Sequence, residues 1–395
     1  MQELRIGREQ ARRYIVNRDL LARKGSSSPT AVTDAVRHLE YVQVDPVYVV
    51  ERNHNLVLRA RLSGYDPAHL DGALYGSPAL IEVPGYMRII VPVEDYPLFR
   101  PRFDRAQAIY PKQYAHAQPL MDTVLKRIAA EGPLSSAEFE QQDRMPSWWQ
   151  ASARAVSHAL NLLWFSGQLA VASRQNNRQY FDLPERVVPP GILAAAPADP
   201  QLELTLKYLQ AYGLGFPGDP QYGWLSQPTA ARVGLSERLL AAGRAVKVWV
   251  EGAAKPYYAP AADTARLVDS GPALASVRLL PPLDNLLASR RRLAEVFAFA
   301  YTWEIYLKPE RRTYGPYVLP ILHGDRLVGR LSPALDRSKG VFTVQGLWLE
   351  PDFAPTPAFL DAFADELRHF AGFHGAGAIT MTGPWPRALP VPRLN

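Results

Sequence analysis

A glutamine and an aspartate stand two positions apart in the stretch LEYVQVDPVYVVERNHNLVLRARLSGY, residues 39–65, as Gln43-Val44-Asp45, followed at once by Pro46. Proline disfavours the α conformation in the residue before it, so Asp45 is expected to be extended. Positions i and i+2 of an extended chain point the same way, which puts Gln43 and Asp45 on one face and turns Val44 to the core. An amide beside a carboxylate can orient a water and accept its proton, or stabilise a nearby cation. Asp45 has a plainer role available as well. Pro46 suits the first position of a helix, and an aspartate before it is a good N-cap, contributing on the order of 1 kcal/mol. A helix N-terminus would also keep that carboxylate ionised at neutral pH. On these residues alone, capping and chemistry are both open.

The elements around the motif set its frame. Residues 7–24 read as a helix, SSSPT as a turn and cap, and 31–42 as a second helix. A third helix is expected from Pro46 to about Leu62. It would carry His54 on one stripe with Val47, Val50 and Val57, so a buried core histidine is its simpler reading. Glu51 and Arg52 fall mid-helix, where an ion pair competes with a place in the cleft. Downstream, 121–130 is a helix that stops at Gly132-Pro133, and Ser135 or Ser136 can cap a short second helix. Residues 151–165 form a third, followed by two β-type runs, LAVAS and QYFDL, joined by the polar turn RQNNR. Helices followed by a hairpin is the winged-helix order. It recurs with helices at 202–213 and 228–243 and a hairpin from AVKVWVEG and KPYYAP. Beyond residue 275, alternating apolar runs broken by HGD and RSKG read as antiparallel strands, closed by an amphipathic helix at 357–373. The fold class expected is α+β: winged-helix units at 1–115, 116–190 and 198–265, then a β-rich domain at 275–395. An irregular helical protein with several hairpins is the alternative.

Composition narrows the function. The 395 residues hold no cysteine, which excludes disulfides, zinc ribbons, iron–sulfur clusters and thiol nucleophiles. No run approaches the roughly 18 apolar residues needed to cross a bilayer, and no export signal is visible, so a cytoplasmic protein without membrane partners is expected. The formal net charge is +6, carried mostly by arginine, which suits a polyanion through bidentate phosphate contacts.

The segment containing Gln43-Val44-Asp45 resembles the signature of the winged-helix DNA glycosylases of the AlkZ/YcaQ type. Two more segments carry the resemblance: GPLSSAEFE…WW…LLWFSGQLAVASR…YFDLPERVVP, and LLPPLDNLLASRRRLAEVF…EIY…RRTYGPYVLPILHGDRLVGR. Together they cover most of the chain in order. The resemblance implies three tandem winged helices and a β-rich C-terminal domain. It implies excision of alkylated bases from double-stranded DNA, with interstrand crosslinks as further substrates, by a monomer that needs neither cofactor nor metal and is nucleoid-associated when bound. It assigns catalysis to Gln43 and Asp45, in the Gln-x-Asp, YcaQ-like branch.

Other candidates follow from this frame. Arg59, Arg61, Arg174, Arg178, Arg290, Arg291 and Arg292 are expected at the DNA backbone, and Glu51, His54, Asp284 and Asn285 at the lesion pocket. The chain departs from its relatives in two places. IEVPGYMRIIVPVEDY stands where a Tyr-Trp-x-His-Ala-like segment is usual, and PPLDNL has Leu283 where Pro-Phe-Asp-Asn carries an aromatic; Trp148 and Trp149 are retained. The rival reading is a non-catalytic winged-helix regulator or structure-specific binder, which would have no use for a water-orienting amide beside a carboxylate.

Overall fold

The computed structural model describes residues 3–140, 143–145, 153–224 and 226–386. Trp148 and Trp149 lie outside them.

The middle unit shows how local signals fix a winged helix. Its first helix, Pro111–Glu131, begins well before the expected start because Pro111 supplies the first-turn φ, and it ends at Gly132 with φ 92°. Ser135 and Glu138 then form a capping box, with Ala137 N–H donating to Ser135 Oγ at 3.2 Å and Ser135 N–H to the Glu138 carboxylate at 2.8 Å. Helix Ala155–Phe165 stops at Gly167, where an added Cβ would meet the Phe103 ring at 2.7 Å. Strands Ala170–Gln175 and Arg178–Asp182 form the wing about Asn176, a residue with φ 57°, and Leu134 bridges to Phe181 as its third strand. Val124, Ile128, Leu160, Leu163 and Trp164 fill the core.

The next unit repeats the order with helices Pro200–Tyr212 and Thr229–Ala241 and the hairpin Ala245–Val250/Tyr257–Pro260. Here one boundary expectation fails. The N-terminal strand Glu3–Ile6 joins this hairpin in parallel, Glu3 opposite Lys247 and Ile6 opposite Val250. Helix Arg8–Arg18 follows it, burying Tyr14 and Ile15 with Val248, Tyr257, Leu280 and Leu293. Tyr14 and Arg18 both bond to the Asp263 carboxylate, at 2.8 and 2.7 Å. Residues 3–16 therefore pack with the third unit, and only the end of the helix and the residues after it meet the motif's unit, where the Asp19 carbonyl accepts Arg61 and Leu20 packs on the Val32–Val36 core.

The motif's own unit has helices Pro29–Leu39, Asn53–Arg59 and Pro67–Asp71 against a three-stranded sheet in the order Val42–Gln43, Arg88–Pro92, Leu80–Pro84. The C-terminal domain is a five-stranded sheet. Val277–Leu279, Leu319–His323, Arg326–Asp336 and Val341–Leu349 run antiparallel, and Ala378–Met381 lies parallel to its neighbour. Helix Pro357–Phe373, capped by Thr356, covers one face with Phe359, Phe363, Leu367 and Phe370. Among the described residues, no helix is long and apolar enough to cross a membrane.

Candidate active site

The motif is positioned by sheet pairing. Gln43 pairs with Ile89, and Val44 N–H donates to the Arg88 carbonyl at 2.9 Å, so the chain stays extended beside Arg88 up to Asp45. Asn53 braces it from behind. Its amide nitrogen donates to the Gln43 carbonyl at 3.0 Å, and its oxygen accepts Leu283 N–H at 3.1 Å.

Past Asp45 the expected helix does not form. The Asp45 carboxylate accepts Val47 N–H at 2.8 Å in an Asx turn, Tyr48 bridges back to Arg52, and the helix begins only at Asn53. The apolar residues that suggested a helix have another destination: Val47, Val49 and Val50 pack on the C-terminal sheet core, where Arg337 donates to the Val50 carbonyl at 2.7 Å. No helix dipole therefore acts on Asp45. Burial instead pushes its carboxyl above the ordinary range, with the Val47 N–H and the Arg88 charge opposing.

Asp45 opens onto a cleft of about 1020 Å³. The cleft runs between the motif, the hairpin tip Tyr86-Met87, helix Ala155–Phe165 and the wing Arg174–Phe181, with Tyr306 at its mouth. Arg88, Arg102, Arg144, Arg154, Arg174 and Arg178 line it, and Asp45 is the one carboxylate among its described lining residues. Gln43 sits half-buried behind Asp45 and does not reach the cleft wall.

Arg88 supplies the positive charge that acts on Asp45. Its guanidinium lies 5.1 Å from the centre of the Trp164 ring and donates to two neutral oxygens, Gln179 Oε1 at 2.6 Å and Asn161 Oδ1. Burial pulls its pKa down to about 10, Glu82 opposing. Because the Arg88 charge lowers the Asp45 pKa, removing it raises that pKa further. Arg88→Met is therefore expected to move the acidic limb of the activity profile to higher pH, with activity lost sooner as pH falls. A pH series of single-turnover rates checks this; an unmoved limb would separate Arg88 from Asp45.

The other sequence candidates divide by burial. Arg59 is buried in an ion pair with Glu366, which also takes Lys24 at 3.0 Å. Arg61 is fully buried against Asp284, at 2.7 and 2.9 Å. Arg292 is buried on the carbonyls of Tyr212, Asn285 and Leu286. None of these three can touch a phosphate, because each guanidinium is spent on an internal partner. Asp284 and Asn285 are likewise interior, Asn285 donating to the Tyr41 carbonyl at 3.1 Å, so neither lines the cleft. Arg291 is half-buried, bonded to Glu295 and 3.8 Å from the Phe216 ring centre. Arg290 is exposed. Glu51 precedes the helix and accepts Arg52 N–H and the Asn55 amide. His54 is buried and neutral, its pKa pulled down to about 3 by desolvation, with Nδ1 lacking a hydrogen-bond partner among the described residues.

Arg174 lines the cleft while its guanidinium clasps Glu82 at 2.6 and 2.7 Å. Arg178 is exposed on the wing and has no ion-pair partner among the described residues. Arg178→Ala is expected to weaken binding uniformly across sequences and to reduce the salt slope by about one. Titrations of one duplex at several salt concentrations measure that slope; an unchanged slope would remove Arg178 from the interface.

Sequence reasoning passed over Arg88, Asn161, Gln179 and Tyr306. Arg88 and Tyr306 both lie in segments noted above, the first in IEVPGYMRIIVPVEDY and the second in EIY. An arginine opening an otherwise apolar strand was the available signal.

Tandem winged helices around an arginine-lined groove with a single carboxylate among its described lining residues define a nucleic-acid-binding protein with the means for chemistry in its groove. The chain belongs to the family described as DNA glycosylase AlkZ-like, whose model matches residues 36–373. Its fold is shared by the DNA glycosylase AlkZ of Streptomyces sahachiroi, with a TM-score of 0.67 at 16% identity, covering 96% of this chain and 100% of that one. The protein is thus a DNA glycosylase, a hydrolase of N-glycosyl bonds with DNA as its partner, and the non-catalytic regulator falls away.

Proposed function

We propose that this glycosylase is monofunctional and releases N-alkylpurines from duplex DNA, N7-alkylguanine first, with N7-linked interstrand crosslinks among its substrates. The observation that carries the reading is the isolation of Asp45 as the one buried carboxylate among the described lining residues of a cleft that six arginines also line. Alkylation at N7 makes guanine cationic and a good leaving group, so the base needs no strong general acid, and no histidine stands among the described lining residues. Bond breaking develops oxocarbenium character on the sugar. The Asp45 carboxylate stabilises that charge and accepts the proton of the incoming water, while Gln43, set back from the cleft wall, acts through the strand that places Asp45. A Schiff-base route needs an amine, and no lysine is among the described lining residues.

The test is product analysis on a duplex carrying one N7-methylguanine. Free 7-methylguanine and an abasic strand that stays intact until alkali are expected, with no covalent complex trapped by borohydride. A trapped complex would overturn the monofunctional reading, and no base release from methylated or crosslinked duplex would overturn the substrate.

A further inference from the structure

Tyr306 is 78% exposed, the most open large apolar side chain among the described residues, yet it lines the cleft that holds Asp45. Its hydroxyl bonds to no other described residue. The loop beneath it is rigidly built. The Glu304 carboxylate accepts the N–H groups of Thr313, Tyr314 and Gly315 at 3.1, 2.9 and 3.0 Å. Arg312 ties down the carbonyls of Glu304, Ile305 and Leu307 at 3.2, 3.3 and 2.9 Å. Trp303 packs edge-on to the Tyr306 ring, centroids 5.5 Å apart. Six hydrogen bonds and an aromatic buttress thus hold one ring in water at the mouth of the reaction cleft. Tyr86 and Met87, at the tip of the hairpin that carries Arg88, are also exposed and line the same cleft.

Apart from the Trp303 edge contact the ring gains little from the fold, so most of its surface is open to a ligand with a flat apolar face. A nucleobase drawn out of its stack has such a face, and base–aromatic stacking is sequence-tolerant. A cationic base adds attraction to the electron-rich face of the phenol ring. The Asp45 carboxylate, after partial desolvation, also raises the Tyr306 phenol pKa, which places the two groups within electrostatic reach.

We infer that Tyr306 is a specificity-determining residue: its ring stacks on the face of the alkylated purine while Asp45 acts at the sugar bond. This rests on the N-alkylpurine reading above and requires the base to leave the duplex stack on that side. Preference for cationic over neutral purines then resides partly in this ring.

The experiment compares wild type with Tyr306→Phe and Tyr306→Ala in two arms. The first is single-turnover release of N7-methylguanine. The second is binding to a duplex bearing an uncleavable 2′-fluoro N7-methylguanine nucleotide, set against the undamaged duplex. Tyr306→Phe is expected to match wild type in both. Tyr306→Ala is expected to lose about ten- to a hundredfold in release rate and most of the preference for the damaged duplex. Its affinity for undamaged DNA and its melting temperature should be unchanged, since the side chain is exposed. A Tyr306→Ala protein that keeps wild-type rate and preference overturns the inference and leaves the substrate reading standing. Preference lost in Tyr306→Ala, with no release even by wild type, upholds the stacking role and overturns the catalytic reading. A wild type that neither releases nor prefers the damaged duplex overturns both.

Discussion

Asp45→Asn lowers the single-turnover rate of base release by about a hundred- to a thousandfold, the usual loss when one preorganised electrostatic group is removed from an enclosed site. The substitution isolates charge. Asparagine keeps an oxygen to accept Val47 N–H, so the Asx turn survives, and a neutral amide costs far less to bury than the carboxylate it replaces. Folding and binding to undamaged duplex should therefore hold, and only the step that develops positive charge on the sugar should slow. In the wild type, burial raises the Asp45 pKa, so activity is expected to fall with decreasing pH earlier than an ordinary carboxylate near 4 would dictate. Asp45→Asn should lose that limb along with the rate. Equal rates in the two proteins would reduce Asp45 to a turn residue.

Asp284→Ala is expected to cost about 3–5 kcal/mol of stability, because it strands a fully buried arginine. Arg61 and Asp284 are both inaccessible, joined by two hydrogen bonds, and Arg61 also donates to the Asp19 and Val57 carbonyls at 2.7 and 2.9 Å. The pair ties the chain just past helix Asn53–Arg59 to the segment that follows the first strand of the C-terminal sheet. Removing both charges with Arg61→Met and Asp284→Leu should cost less than Asp284→Ala alone, since no uncompensated charge remains. Denaturant unfolding of the single and double variants measures this. A single variant as stable as wild type would mean that water reaches Arg61.

These two residues also show where sequence reading reached its limit. Local chemistry was legible: Gly132, Gly167, the Ser135–Glu138 box and the Asn-Asn turn each act within a few residues, and the middle winged helix followed from them. Buried arginines were not. Arg59, Arg61 and Arg174 look alike as letters, and what separates them is a carboxylate far away in the chain, Glu366, Asp284 and Glu82 respectively. The same limit explains the missing helix after Pro46. Its valines had a helical rhythm, but their packing partners are residues of the C-terminal sheet, far away in the chain. In the site itself, Asp45 could be chosen from the sequence, whereas Arg88 acquires its role only through strand pairing.

The strand Glu3–Ile6 has a consequence for synthesis. Its partner, Ala245–Val250, leaves the ribosome long after it, and helix Arg8–Arg18 waits with it for Leu280 and Leu293. At about 5–20 residues per second, the first turns of the chain stay unpartnered for on the order of ten seconds or more. During that interval Ile6, Tyr14 and Ile15 present an apolar edge to the surroundings, while the two intervening winged helices can already have closed. This strand and helix are therefore among the last elements to find their partners, and a chaperone acting on the nascent chain would find its binding site there.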